Sequence, residues 1–337
     1  MEQSCPVLGV SRLGSFIALN RVVTSDTGER YTLNDGFGSR RLVATGQGDD
    51  EEVLELSPAL SRNPATEDAI RGRAAHWADL PRESFAHVRR VGRDGPTVRV
   101  AADAPAGVRL SDLLAYVESA PDSLSHAGMV ALALSVIEGV SALHDGPGAL
   151  VHGALASSHI VVTHEGRVVV TDAVYGDAIE SLELNREQLW KGYGLVFPTS
   201  ASLPRCDQVA DVTQLGALVL AIALRRPLRL SEYPHGMTDL VSATRLEGLR
   251  RTFGSPTSAL HMWLQQALQL RQRATFSNAV QAKLAFSEVA SGLGVRRLGV
   301  HALSACLEAA GVATPTGHGA TAAAADRVRI RAAGSMT

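Results

Sequence analysis

The stretch from Leu143 to Gly176 constrains the fold of this chain more than any other part of it. An apolar run ends in Leu-His and is broken by the turn residues Asp-Gly-Pro-Gly. Two short runs follow, at 157–162 and 167–171, with a Glu-Gly turn between them, and Asp172 ends the second run. The pattern predicts the end of a helix, a tight loop and two short strands with a carboxylate after the second.

The order of these elements resembles one family, the eukaryotic-like protein kinases, and in particular the bacterial Ser/Thr kinases. In that family a helix ending in Leu-His leads to V-H-R-D-L-K-P-x-N-I-x-V, a hairpin turn and D-F-G. Here the same frame reads V-H-G-A-L-A-S-S-H-I-V-V over 151–162 and D-A-V over 172–174. The resemblance implies an α+β fold of two lobes, a small β-rich N-lobe and a larger, mainly α-helical C-lobe.

The resemblance covers about 30–290 and implies five segments. They are an N-terminal extension at 1–29, a degenerate N-lobe at 30–107, a kinase-like C-lobe at 108–290, an extra helix at 291–310 and an Ala/Gly/Thr-rich linker or tail at 311–337. A linker of that composition suggests that the natural chain continues into further domains.

The catalytic positions of the family hold residues that cannot perform its chemistry. Ala154 stands where the catalytic base needs a carboxylate, and Ala156 replaces the lysine that neutralises the transferred phosphoryl group. His159 replaces the asparagine that binds a second magnesium ion, and Val174 replaces the D-F-G glycine. Phosphoryl transfer depends on positioning and charge neutralisation. The resemblance therefore implies an inactive member, a pseudokinase, and not an enzyme.

The N-lobe also lacks the residues that hold nucleotide phosphates. Glu55 stands where the family's V-A-I-K strand has its lysine, and no lysine precedes Lys191 in any alignment. Asp35 falls on a glycine of the family's Gly-rich loop, where we expect a hairpin turn instead. The glutamate of the following helix falls near 71–73, or at Glu67 if the helix is shifted. We therefore expect no ATP binding.

Several positions keep the family's scaffold residues, namely His152, Pro198, Asp211 and Gly216. Asp172 is the only retained metal-ligand position. A single carboxylate holds Mg²⁺ weakly, so we expect Asp172 to cap a turn or to hydrogen-bond local backbone. His152, His159 and Asp172 could together bind a metal, but the register points His159 toward the cleft and His152 away from it. We expect no metal and no cofactor.

Bulk composition restricts the other classes of function. A net charge of −2 argues against a broad nucleic-acid surface. The three cysteines form no C-x-x-C pair, which disfavours zinc and disulfides and fits a reducing cytoplasm. The longest apolar run, 215–224, is about half of the roughly 20 residues that a membrane helix needs. Basic residues are almost all arginine, which suggests a bacterial gene of high GC content.

The leading hypothesis is an inactive kinase-like domain that binds another protein as a scaffold or regulatory module. The alternative is a ligand- or nucleotide-sensing module in which the cleft binds a small molecule without phosphoryl transfer. A third possibility is an active transferase with relocated residues. No other lysine or carboxylate cluster at a plausible position supports that third reading.

Overall fold

The computed structural model describes residues 23–24, 30–32, 35–43, 50–146, 148–199, 202–251, 256–270, 275–291 and 295–310. The strands that the sequence predicts at 7–10 and over most of 16–23, and the predicted linker at 311–337, lie outside these residues.

An antiparallel sheet of six strands forms the smaller part of the fold, in the order β1-β2-β3-β4-β6-β5. The strands are β1 (Val23–Thr24), β2 (Arg30–Thr32), β3 (Gly38–Val43), β4 (Glu51–Leu56), β5 (Val88–Asp94) and β6 (Thr97–Asp103). Alternate side chains of a strand face opposite sides of the sheet. In β4 Leu54 and Leu56 are therefore buried on the inner face, whereas Glu55 between them lies on the outer face.

Two helices cover the inner face of this sheet, α1 (Pro58–Arg62) and α2 (Ala65–Trp77). Leu60 of α1 and Ile70 of α2 are fully buried in one apolar cluster with Val98 and Val100 of β6. The sequence predicts α2 over 66–80 and only a linker before it. The linker instead contains a helical turn, because Pro58 at its first position has the φ that a helix start requires.

The larger part of the fold contains a three-stranded sheet in the order β7-β8-β9 and nine further helices among the described residues. The strands are β7 (Val108–Arg109), β8 (Ile160–Val162) and β9 (Val168–Val170). The helices are α3 (Leu110–Ser119), α4 (His126–Asp145), α5 (Gly176–Glu180), α6 (Arg186–Tyr193), α7 (Gln208–Leu224), α8 (Met237–Arg251), α9 (Pro256–Ala267), α10 (Ala279–Ser291) and α11 (Val295–Ala309).

The apolar helix α4 lies at the centre of this larger part, in contact with α7, α10 and α11. Val136, Ile137 and Val140 of α4 have no exposed surface. By length and composition alone α4 could cross a membrane, but 67% of its most apolar window is buried inside the fold. The core helix of a globular protein passes the same test, and the packing of α4 is of that kind.

The sequence predicts one helix over 179–189, and this prediction is wrong. The chain forms two short helices there, α5 and α6, because Asn185 starts a new one. Its side chain accepts a hydrogen bond from the Gln188 backbone N–H while the Gln188 side chain accepts one from the Asn185 N–H. Glu183, between the two helices, has a φ of 50°, which no helix can accommodate.

The packing of α7 gives a test of the core. Leu220→Ala removes a side chain with no exposed surface and should lower the free energy of unfolding by about 2–5 kcal/mol, because a cavity remains where the side chain was. Leu203→Ala is the matched control, since Leu203 is 52% exposed and should change stability by about 0.5 kcal/mol or less. Urea unfolding measures both, and equal losses would contradict the assigned packing.

Candidate functional site

The loop at 151–155 is held in place by a buried carboxylate on α7. Asp211 accepts hydrogen bonds from the backbone N–H groups of His152 and Gly153, both at 2.7 Å. It also accepts one from Nε2 of His144 at 3.0 Å, while Nδ1 of His144 accepts from the Ala279 N–H at 2.9 Å. One carboxylate therefore fixes the loop to the helical core and orients the ring of His144.

His152 lies beneath the same loop. Its Nδ1 accepts from the Ala154 N–H at 3.2 Å, so Nε2 carries the proton and donates to the Thr171 carbonyl at 2.9 Å. The ring is completely buried, and this burial lowers the pKa of His152 to about 4. The residue joins the loop to the end of β9 and works as a structural part of the fold.

The other two scaffold residues have local structural surroundings as well. A Cβ on Gly216 would come within 3.0 Å of the Ala267 Cβ, so the glycine lets α7 approach α9 closely. The carbonyl of Pro198 accepts a hydrogen bond from Nε of Arg186 at 2.5 Å. This bond ties the segment after α6 to the first turn of that helix.

The positions that the sequence aligns with catalytic residues lie in an apolar core between the two parts of the fold. Ala154 is fully buried, Ala156 is 6% exposed and Val174 is 3% exposed. All three belong to one cluster with Leu54 and Leu56 of β4. Methyl and isopropyl groups thus pack against the inner face of the sheet at the point where a polar cleft would open.

Phe37 fills the same region from the turn before β3. Its side chain has no exposed surface, and its ring centroid lies 4.5 Å from that of His159, 5.1 Å from Tyr193 and 5.7 Å from Tyr175. A Cβ on Gly36, whose φ is 86°, would stand only 1.9 Å from a backbone oxygen of α6. The turn therefore packs directly onto α6 and inserts an aromatic ring between the two parts.

A buried cluster of charges surrounds Arg40, which is 2% exposed. Its guanidinium lies 2.9 Å from an Asp35 carboxylate oxygen, 2.7 Å from Glu52 and 3.0 Å from Asp172. Asp35 and Glu52 belong to the sheet part, whereas Asp172 follows β9 of the helical part. One arginine thus pairs with carboxylates from both parts of the fold.

Arg109, at the end of β7, is the second cation of this cluster. Its Nη2 donates to both oxygens of Glu52 at 2.5 Å, and Nη1 lies 3.6 Å from Asp172. Nη1 also donates to the Ser158 carbonyl. Two guanidinium groups and three carboxylates therefore share one enclosed volume, and their formal charges leave one negative charge in excess.

The expectation that Asp172 caps a turn or bonds local backbone is wrong. Its Oδ1 pairs with Arg40, and Oδ2 accepts from the hydroxyl of Thr171 at 2.7 Å. Burial would raise the pKa of Asp172, but the neighbouring charges, Arg40 first among them, and the hydrogen bond from Thr171 together outweigh burial and hold the pKa well below its ordinary value. Its φ of 64° is a left-handed conformation that aspartate tolerates better than most residues.

The assignment of Glu55 to the cleft is also wrong. Glu55 pairs with Arg99 at 2.9 Å and Arg41 at 3.8 Å on the outer face of the sheet. Strand alternation places Glu52 on the face opposite Glu55, and Glu52 is the β4 carboxylate that reaches the cluster.

The cation of α2 that faces the loop is Arg73. Its guanidinium donates to the carbonyls of Val151 at 2.6 Å and His152 at 3.0 Å. Glu67, the other position that the sequence allows for a cleft-facing acid on this helix, instead pairs with Arg71 and Arg93. Arginine–carbonyl bonds therefore hold α2 against the loop.

His159 is fully buried and joins the apolar and charged regions. Its Nδ1 donates to the Ala154 carbonyl at 2.6 Å, and Nε2 lies 3.4 Å from a guanidinium nitrogen of Arg40. Its ring stacks on that of His152, with centroids 6.0 Å apart. Burial lowers its pKa, so the ring is neutral at pH 7. Across the described ranges, no group of three His, Cys, Asp or Glu side chains could hold a metal ion.

Sequence reasoning missed four residues of this site, namely Phe37, Arg40, Glu52 and Arg109. The alternation of β4 carries a signal for Glu52, because Leu54 and Leu56 are the apolar positions that share its face. Arg40 and Arg109 carry no local signal, since a strand arginine is ordinarily exposed. Their roles depend on partners more than 50 residues away in the chain.

The arrangement does not fit a bound Mg²⁺–nucleotide. Both oxygens of Asp172 already interact with Arg40 and Thr171. The carboxylates of Asp35 and Glu52 lie beside them and would repel phosphate oxygens. The chemistry that the geometry supports is mutual neutralisation of charges within the protein.

Comparisons with known proteins find similarity in structure only. No protein-family model matches the chain, and no curated protein matches it. The PknI kinase domain of Mycobacterium tuberculosis superimposes with a TM-score of 0.54 at 17% identity, over 77% of this chain and 96% of that one. The kinase domain of maize SIRK1 (sucrose-induced receptor kinase 1), described bound to AMP-PNP, gives 0.53 at 16% identity, over 81% and 97%. PpkA-294 gives 0.51 at 15% identity, over 78% and 95%.

The chain therefore has a protein-kinase-like fold of the α+β class. Its six-stranded sheet with α1 and α2 corresponds to the smaller, β-rich lobe, and the helical part corresponds to the larger lobe. The fold class expected from the motifs is confirmed. Identities of this size establish the fold alone, so the chemistry has to be argued from the residues of this chain.

The buried histidines predict a dependence of stability on pH. His152 has a pKa of about 4 when folded and about 6.5 when unfolded, so between these values the unfolded chain binds more protons. Stability should therefore fall as the pH drops from 7 through 6.5 to about 4, by about 3 kcal/mol for this residue. Urea unfolding of the wild type and of His152→Gln between pH 7 and 4.5 measures the slope.

His76→Gln is the control, because His76 is exposed on α2. The pH slope of this variant should match that of the wild type, whereas His152→Gln should make the slope shallower and leave the contribution of His159, whose pKa is also lowered by burial. An unchanged slope in His152→Gln would contradict a buried neutral ring.

Proposed function

We propose that this chain is a catalytically inactive, kinase-like domain that acts by binding another protein, as a scaffold or regulatory module in the cytoplasm. The observation that carries the proposal is the guanidinium of Arg40, which lies 3.0 Å from Asp172 inside the fold. In the motif frame Asp172 is the metal-ligand position. An arginine of the same chain stands against it, where a metal ion and nucleotide phosphates would otherwise lie.

The missing catalytic groups support the same proposal. Ala154 and Ala156 offer no general base and no cation for a transferred phosphoryl group. Phosphoryl transfer needs charged side chains positioned at these two places in the loop. Both residues are buried in an apolar cluster, which excludes water and substrate from the loop. Their methyl groups therefore contribute to the packing of the domain.

The charge of the site further disfavours a nucleotide. The enclosed cluster carries three carboxylates against two guanidinium groups. A triphosphate would have to break these pairs and then lie beside the freed carboxylates. Separating a buried ion pair costs about 3–5 kcal/mol. The contacts of the phosphates with the protein would have to supply more binding free energy than this, in a site without lysine. A closed cleft leaves the outer surface of the domain as the place where ligands bind.

Titration with ATP, with and without Mg²⁺, tests the proposal by thermal shift. We expect no rise in melting temperature at millimolar ATP. A ligand that binds only the folded state at 100 times its dissociation constant would add about 2.7 kcal/mol of stability. The maize SIRK1 kinase domain is a suitable positive control, because it is described bound to AMP-PNP.

A saturable rise in melting temperature would overturn the closed-cleft account and favour a nucleotide-sensing module instead. Transfer of γ-phosphate to the chain itself or to a general acceptor protein would overturn the assignment as inactive. The second assay is independent of the first, since transfer requires turnover and thermal shift requires only binding.

A further inference from the structure

The outer face of the six-stranded sheet carries a row of side chains that crosses four strands. The strand registers pair Arg41 of β3 with Val53 of β4, Val53 with Ala101 of β6, and Ala101 with Arg90 of β5. Residues paired in this way lie side by side on one face of a sheet. An arginine thus stands at each end of the row, and two small apolar side chains lie between them.

A second row runs beside the first, two residues along each strand. It pairs Glu55 with Arg99 and Arg99 with Gly92. The two rows enclose a cavity of about 250 Å³ on this face. We call it the arginine trough, and it is lined by Arg41, Val53, Arg90, Gly92, Arg93, Asp94, Arg99 and Ala101.

Gly92 in the floor of the trough has no structural explanation within the described part of the chain. A Cβ at this position would meet none of the described atoms within 4 Å, and its φ is not left-handed. Gly36 and Gly38, by contrast, would each place a Cβ 1.9 Å from a backbone oxygen. Glycine weakens the interior of a strand and often marks a place where a ligand or another backbone approaches closely. Open space above Gly92 is consistent with such an approach.

The lining carries more positive than negative charge. Four arginines and one aspartate line the trough, and one of the four, Arg93, pairs with Glu67 of α2. Asp94 and Glu55 both pair with Arg99, at 2.6 and 2.9 Å, and Glu55 also lies 3.8 Å from Arg41. Nε of Arg99 is nevertheless buried without a hydrogen-bond partner. Unsatisfied buried donors are costly, and a ligand oxygen would satisfy this one.

Arg90 is the most available cation of the trough. Its side chain is 73% exposed, and its nearest carboxylate, Glu51, is 3.7 Å away. That distance is too long for a hydrogen bond. Glu51 also lies 3.5 Å from Arg89 and is therefore shared between two arginines. The guanidinium of Arg90 can accordingly turn to an incoming anion without breaking a hydrogen bond to Glu51.

We propose that the arginine trough binds an anionic side chain, phosphorylated or carboxylate, on a protein partner. Guanidinium groups match the paired oxygens of phosphate and carboxylate. A cavity of about 250 Å³ has room for one phosphate or carboxylate group. It is smaller than the pockets that ordinarily bind small-molecule ligands. The net charge of −2 for the chain disfavours nucleic acid as the occupant. The proposal rests on the protein-binding function proposed above and gives that function a surface.

Fluorescence anisotropy with four labelled probes tests the proposal on the full chain. The probes are short peptides of one sequence that carry phosphoserine, glutamate or serine at the central position, and a single-stranded DNA of equal length. We expect saturable binding of the phosphoserine or glutamate peptide and none of the serine peptide. The two anionic peptides distinguish a phosphorylated from an acidic partner.

Two variants locate the binding. Arg90→Gln removes an exposed guanidinium, and Gly92→Val fills the floor where no atom stands in the way of a larger side chain. Each should weaken peptide binding about tenfold, Arg90→Gln because a charge-assisted hydrogen bond is lost and Gly92→Val because the new side chain takes space that the bound group needs. Arg167→Gln is the matched control, since it removes an arginine that is 59% exposed on the turn after β8. It should leave binding unchanged, and thermal melting checks that all variants fold.

Three results would overturn the proposal. The first is no saturable binding of either anionic peptide at millimolar concentration. The second is an equal loss in Arg90→Gln and Arg167→Gln, which would show attraction to the overall charge. The third is DNA binding that is tighter than peptide binding and lost with Gly92→Val. None of these depends on the cleft, so an unchanged melting temperature with ATP would still support the inactive domain.

Discussion

The ion pair between Arg40 and Asp172 is the interaction on which the rest of this structure depends. It joins a strand of the N-lobe to the end of β9 in the C-lobe, and both side chains are almost completely buried. A buried charge is tolerated only when it is paired and hydrogen-bonded. That requirement explains why Asp35, Glu52 and Arg109 converge on the same volume. Asp35 and Glu52 pair with Arg40, and Arg109 pairs with Glu52, so every charge of the cluster has an opposite charge beside it.

The apolar residues around the charged cluster strengthen the same ion pair. With Ala154 and Ala156 in the loop and Phe37 in the turn above it, the space between the lobes is filled by hydrocarbon. Such packing excludes water and strengthens the ionic contacts beside it, because the local dielectric is lower. The closed interior therefore leaves binding to the outside of the domain, where the small residues of the arginine trough leave an open, basic face.

The scaffold of this fold could be predicted from the sequence better than the site could. The frame from Val151 to Val174 and the place of Asp211 in the first turn of α7 follow from local motifs, and the fold expected from them is confirmed. Arg40 and Arg109 were beyond local reasoning, since their partners come from distant strands and loops. Glu55 was placed on the wrong face because a motif alignment fixes a position along β4 but does not read its alternation. Leu54 and Leu56 would have supplied that reading.

A double-mutant cycle between Arg40 and Asp172 tests the central claim most directly. Arg40→Met keeps the volume, and Asp172→Asn removes the charge while tolerating the left-handed backbone. The free energies of unfolding of the two single variants and the double variant should give a coupling of about 2–3 kcal/mol, as expected for buried partners in contact. The exposed pair Glu187 and Lys191 should give about 0.5 kcal/mol or less. A coupling between Arg40 and Asp172 no larger than that of the exposed pair would contradict the account.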